Sequence, residues 1–207
     1  MAKIYNEVWP HKKKTTGEVI RNQEFSLIDM NSPIFTDVDF IDCVFNDVTF
    51  GDARLYNCNF QNCNFTKVDL RNATIGANGG IYENCTFKKC DFRKGYFYKP
   101  VMVNCLFDDC KFKSVDFKAS AFNKCKFIGK LDDVIFHGDY ISKTTEGASP
   151  NLMVEVDFSE TTWSYVCFEH CDLSSCIPPS GSTFEQLLSP SPYMNDVNYL
   201  CTHDDNK

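Results

Sequence analysis

Twelve cysteines and four histidines are the residues of this 207-residue chain best suited to metal or redox chemistry. Their tightest grouping is Cys167, His170, Cys171 and Cys176, donor types that a tetrahedral zinc ion accepts. Whether four such donors can converge depends on what the surrounding chain does. The other histidines, His11, His137 and His203, are scattered. There is no glycine-rich phosphate loop after a strand, no G-x-S-x-G and no H-E-x-x-H. No catalytic residue, cofactor or metal site is assigned on this basis, and the chain is read as a non-enzyme.

What positions these residues is a five-residue beat. Large apolar residues recur at Phe35, Phe40, Phe45, Phe50, Leu55, Phe60, Phe65, Leu70 and Ile75, with Phe25 and Met30 in phase before them. The beat resumes from Phe87 to Phe127, through Phe107, Phe112 and Phe117, and again at Phe158, Trp163, Phe168 and Leu173. A helix repeats near 3.6 and a strand near 2, so a period of five is neither. A chain that turns a corner every five residues points one residue per side inward. Four sides close a square coil of twenty, and stacked coils make a solenoid. Two residues before each beat stands a small or β-branched residue, among them Val38, Cys63, Ala73, Cys90, Cys110 and Val115. Phe60, Phe65, Phe107, Phe112 and Phe117, with Cys63, Cys90 and Cys110, are therefore expected inside, and the remaining positions of each unit on a wetted wall.

That phase decides most of the cysteines. Ten of the twelve occupy the small inward site, where a free thiol packs as a compact hydrophobe. Residues twenty apart, such as Cys43 and Cys63 or Cys90 and Cys110, stack in successive coils at about 4.8 Å, which does not forbid a bridge. Packing thiols are the reading preferred here, with disulfides and metal as alternatives, because a cytosolic setting keeps thiols reduced. In the cluster, Cys171 and Cys176 face in while Cys167 and His170 face out. Donors on opposite sides of a wall do not meet on one ion.

Units such as Cys58-Asn59-Phe60, Cys63-Asn64-Phe65, Val68-Asp69-Leu70, Cys90-Asp91-Phe92 and Cys171-Asp172-Leu173 resemble the pentapeptide-repeat family, whose consensus is A-[DN]-[LF]-x-x. The frequent cysteine in place of alanine is a departure that still lets the interior close. The resemblance covers roughly residues 25–178. It implies an all-β, right-handed, four-sided parallel β-helix with a short C-terminal helix as cap, and says little about function. Residues 1–24 are expected to form an N-terminal cap, 25–178 the β-helix, and 179–207 a C-terminal cap or dimerisation segment. At the start, Val8, Trp9, Val19 and Ile20 could cover the first coil. At the end, Ser182-x-x-Glu185 reads as a capping box, and Tyr193, Met194, Val197, Tyr199 and Leu200 supply apolar surface for a homodimer.

The beat breaks at 76–82, where Gly76-Ala77-Asn78-Gly79-Gly80 marks a turn with positive φ. It breaks again over 129–154, a long polar insertion containing Asp139, Tyr140, Lys143 and Glu146. The short break is taken as an indel absorbed at a corner. The long one is the best candidate for a partner-specific feature.

Charge is uneven along the chain. Residues 83–131 carry eleven Lys and Arg against five Asp and Glu, whereas 132–207 carry two against thirteen. Lys89, Lys94, Lys113 and Lys118 belong to the resulting basic belt and are candidate partner-binding residues, although a solvated wall is the simpler reading. No stretch approaches a membrane span and the first residues form no apolar run, so a soluble cytoplasmic protein is expected. The function expected is that of a non-catalytic scaffold that binds a protein partner through its outer faces and the 129–154 loop. Its role would be protective, of toxin-immunity or antibiotic-resistance type. Some relatives are thought to imitate DNA on gyrase; that alternative needs one continuous negative face, which the belt interrupts. A purely structural spacer is the third reading. Direct nucleic-acid binding is disfavoured because the belt lacks interleaved aromatics, the Phe residues being expected to point inward.

Overall fold

The computed structural model describes residues 14–118, 120–138, 153–194 and 196–202, and residues 3–5 by their backbone. Within each coil the chain makes four walls. In chain order the first wall stacks Gln23–Ser26, Val44–Asn46, Asn64–Thr66, Thr86–Lys88 and Leu106–Asp108 in parallel. The second wall is a column of isolated parallel bridges joining Asp29, Thr49, Asp69, Asp91 and Lys111. The third stacks Lys14–Thr16, Ile34–Thr36, Arg54–Tyr56, Thr74–Ala77, Tyr96–Phe97 and Val115–Phe117. The fourth runs from Val19–Arg21 through Asp39–Ile41, Asn59–Gln61, Ile81–Glu83, Val101–Val103 and Ala121–Asn123 to Met153–Val154. Parallel pairing therefore begins before Phe25. The fold is a parallel β-solenoid of about six turns.

The corners explain the beat. Two residues after nearly every inward residue the backbone enters the left-handed region, at φ between 48° and 64° for non-glycine residues. Asn and Asp tolerate that region best because their short polar side chains bond locally. All four corners of one coil are aspartates: Asp37, Asp42, Asp47 and Asp52. One corner line carries an amide ladder, in which Asn62, Asn84 and Asn104 each donate to the residue one coil earlier, at 2.9, 3.2 and 2.7 Å.

Inside, rings stack coil on coil. Along the first wall Phe25, Phe45, Phe65, Phe87, Phe107, Phe127 and Phe158 follow one another with centroids 4.6–5.3 Å apart. Rings on adjacent walls meet edge to face, as Phe107 and Phe112 do at 5.7 Å and 68°. Offset-stacked and edge-to-face contacts are the two arrangements that the ring quadrupole favours. Phe60, Phe65, Phe107, Phe112 and Phe117 are all buried, as are Cys63, Cys90 and Cys110. Cys43, Cys63, Cys85, Cys105 and Cys125 form one inner column, each thiol donating to a carbonyl of the preceding coil at 3.2–3.5 Å. Burial pushes the neighbouring Cys58 thiol up to about 11.

The break near residue 76 is absorbed stepwise. Thr74 pairs Arg54, Ala77 pairs Tyr56 and Tyr82 pairs Phe60, so the register slips by one residue twice. Gly76 and Gly80 make this feasible. Both have positive φ, and a Cβ would lie 2.6 Å from Pro100 in one case and 2.7 Å from the Cys58 carbonyl oxygen in the other. Further on, Lys126–His137 and Asp157–Glu169 are single long strands that pass through the first three walls and pair with each other in parallel. Leu131, four residues after Phe127, fills the inward position that the five-residue count misses.

Two expectations about the C-terminal end are corrected. The capping box is not Ser182–Glu185. Thr183 is the N-cap: its hydroxyl accepts from the Gln186 N–H at 3.3 Å, and Gln186 Oε1 accepts from the Thr183 N–H at 2.9 Å. The helix, Phe184–Leu187, is one turn, and Phe184 meets Trp163 at 6.1 Å. Beyond it the chain forms two short antiparallel strands, Leu188–Pro190 and Tyr199–Thr202, and the second pairs with Cys167–Glu169. The expectation of free thiols also fails at one place. Cys167 and Cys201 form a disulfide. Their sites are the two that the inward phase does not claim, and the antiparallel strand brings them face to face.

Candidate binding surface

In two successive coils the second wall places a base two residues after an acid, Arg71 after Asp69 and Arg93 after Asp91. Asp69 and Asp91 each accept the N–H two residues ahead, at 3.0 and 3.2 Å, and so form the turn at their corner. Arg71 and Arg93 then fold back and grip the same carboxylates through Nε and Nη2 at 2.6–3.1 Å. The Arg71 guanidinium holds the Asp69 carboxyl below its usual range. Burial works against ionisation at Asp91, but Arg93 outweighs it. One coil further the acid is replaced by Lys111, with Lys113 at the arginine position. Two ammonium groups thus stand where an ion pair stood in the two coils before. They line a groove of about 600 Å³ with Lys67 and Lys89 at its rim and the Lys130–Asp132 pair (3.1 Å) beyond. Among the described residues Lys67, Lys89, Lys94, Lys111 and Lys113 make no ion pair.

The third wall adjoins this groove around the corner at Lys94. There Tyr96 and Tyr98 point outward, 66% and 42% exposed, over a second groove of about 460 Å³ that also holds Lys94, Ser114, Asp116 and Lys118. Lys118 pairs with Asp116 at 3.4 Å. Just below, His137 Nε2 lies 2.7 Å from Asp116 Oδ1, and its Nδ1 contacts Glu169. Burial alone would lower the His137 pKa, but the two carboxylates raise it above the ordinary histidine value. The imidazolium therefore braces successive coils.

The four lysines singled out from the sequence thus divide between two walls. Lys89 and Lys113 line the first groove, and Lys94 and Lys118 line the second. Asp139, Tyr140, Lys143 and Glu146 lie outside the described residues. Tyr96 and Tyr98 were missed, although their places immediately before and after inward Phe97 mark them as outward. Around the former zinc-like cluster, Cys167 is bonded to Cys201, His170 Nε2 meets Asp196 Oδ2 at 2.6 Å, and Cys171 and Cys176 donate to carbonyls of earlier coils.

Charge on the outside is banded along the axis. The corner between first and second walls runs Asp47, Lys67, Lys89, Asp109. The corner between second and third runs Asp52, Asn72, Lys94, Ser114, Asp133. Each passes from an acidic coil into a basic or neutral one, so neither carries an unbroken line of acids.

Residues 34–72 match the family described as pentapeptide repeats, in eight copies. Among solved structures, trypsin-treated QnrB1, described as a plasmid-mediated fluoroquinolone resistance protein, is similar at 23% identity. The match covers 87% of this chain and 83% of that one with a TM-score of 0.70. A second trypsin-treated QnrB1 structure matches at 21% identity over 86% and 90% of the two chains, with a TM-score of 0.66. Identities this low speak for the fold alone. No curated protein matches the chain in sequence.

Proposed function

We propose that this chain, a pentapeptide-repeat protein, is a non-catalytic scaffold that binds an acidic surface of a protein partner through its second and third walls. The observation that carries the reading is the Lys111–Lys113 pair. It follows two coils of Asp–Arg pairs and puts two cations that make no ion pair among the described residues into a groove whose lining carries more Lys and Arg than Asp. Rim and groove lysines raise encounter rates with an anionic partner, and exposed tyrosines supply contact area at low entropic cost. The 129–154 segment, with Asp139, Tyr140, Lys143 and Glu146, is assigned to the same role. The likeness to a fluoroquinolone resistance protein supports a protective context, with a topoisomerase or a toxin as the partner class. Among the described residues no helix is long and apolar enough to cross a membrane, in keeping with a cytoplasmic setting. Exposed Tyr193 and Val197 are the surface assigned to a homodimer.

The axial banding of charge argues against imitation of DNA, which needs negative charge along the length of one face. The test is affinity capture from the native cell with wild type and with Lys89→Glu/Lys111→Glu/Lys113→Glu. A partner retained by wild type and lost from the variant, at unchanged thermal stability, supports the reading. Equal retention by both, or retention of nothing, defeats it. Inhibition of gyrase supercoiling that survives the triple reversal would favour DNA imitation instead.

A further inference from the structure

Ten of the twelve cysteines are thiols on the inward sites, eight of them fully buried. The remaining two, Cys167 and Cys201, face outward and stand directly opposite each other in antiparallel register, joined as a disulfide. Both are half-buried, and they open onto a groove of about 510 Å³ beside Tyr165 and Tyr193. A small thiol can therefore reach this bridge, while the eight buried thiols stay out of reach. What the bridge holds is the segment 188–202. That strap is tied to the last coil by the pairing of Tyr199–Thr202 with Cys167–Glu169, by a Val166 N–H bond to Thr202 Oγ1 at 3.2 Å, and by His170 on Asp196 at 2.6 Å. The strap supplies the antiparallel partner that closes the parallel third wall, whose edge would otherwise offer unpaired N–H and C=O groups.

We propose that Cys167–Cys201 is a redox modification site, a latch that a dithiol reductant opens to release the C-terminal strap and uncover the edge of the last coil. One thiolate of the dithiol attacks a sulfur of the bridge and forms a mixed disulfide. The other cysteine leaves as a thiolate and takes up a proton. The second thiol of the reductant then displaces the protein sulfur. The protein gains two electrons and two protons, and the dithiol becomes a cyclic disulfide. The bridge closes a loop of sequence separation 34, so its loss restores chain entropy to the released strap.

The experiment is hydrogen exchange read by mass spectrometry on the full chain, purified without reductant, before and after treatment with dithiothreitol. Native alkylation with iodoacetamide is run in parallel. Reduction is expected to speed exchange at residues 199–202 by about 100-fold while the coil 105–128 is unchanged, and to add two alkyl groups, at Cys167 and Cys201, over any carried by the half-buried free thiols Cys171 and Cys176 before reduction. Cys167→Ser/Cys201→Ser should exchange as the reduced protein does and ignore dithiothreitol. Unchanged exchange at 199–202 after reduction would overturn the proposal, as would alkylation of Cys167 and Cys201 before any reductant is added. Both arms on the wild-type chain hold even if the double variant fails to fold.

Discussion

The second and fourth walls are built on the same inward plan and differ wholly outside. Phe50, Leu70, Phe92 and Phe112 fill the axis behind one; Phe40, Phe60, Tyr82, Met102 and Phe122 fill it behind the other. Outward, the second wall presents Asp–Arg pairs and then Lys111 and Lys113. The fourth presents Ile81, Val101 and Ala121 in one register column, flanked by the amide ladder. Equal interiors with unequal exteriors mean that packing sets the coil and leaves the wall chemistry free. From Asp29 to Lys111 the second wall even dispenses with continuous strands, being held by single bridges and, at Asp69 and Asp91, by carboxylates that cap their own corners. A surface so loosely bound to the fold can be specialised at little structural cost.

If that separation is right, inward truncations on the two walls should cost alike. Phe112→Ala and Phe122→Ala are each expected to lower unfolding free energy by about 3–5 kcal/mol in urea titrations; a large inequality would break the comparison. A smaller effect of opposite sign is expected at Tyr82. Its ring stacks 4.9 Å from Phe60, but its buried hydroxyl has no hydrogen-bond partner among the described residues, and burial raises its pKa. Tyr82→Phe should therefore stabilise the protein by about 1–3 kcal/mol, and a loss of stability would show that the hydroxyl is satisfied. Asn104→Ala removes both a left-handed corner residue and a 2.7 Å ladder bond, and should cost about 1–2 kcal/mol. Outside, Lys113→Glu should change stability by less than about 0.5 kcal/mol while abolishing partner capture.

The third wall offers a test by pH. His137 has its pKa raised in the fold by Asp116 and Glu169, so it binds its proton more tightly folded than unfolded. The stabilisation is complete below the unfolded value near 6.5 and is lost as pH rises through the higher folded value. Melting temperature should fall over that window in wild type. His137→Gln should flatten the fall, and an unchanged profile would remove the brace.

Much of this architecture was legible because period-five patterning is a local property. Phe60 and Phe107, with Cys63 and Cys110 on the small site, declare an inward side without reference to distant residues. The basic belt was legible as a charge count, but its division between Lys89 and Lys113 on one wall and Lys94 and Lys118 on the next needs coil geometry. The capping box was misplaced by one residue because Ser182 and Thr183 are equally good caps in sequence, and only the path of the chain over Trp163 chooses between them.

By itself the sequence determined the coil: large inward residues recur on the five-residue beat with small neighbours two residues before them, and Asn or Asp stands at more than half of the non-glycine left-handed corners, each acting within five residues of itself. Only the tertiary structure decided what meets between coils or beyond them. Cys167 found Cys201, His137 found its two carboxylates, and the C-terminal segment turned antiparallel onto the last coil. Such pairings depend on register and on where the chain returns in space, which no repeat of period five encodes.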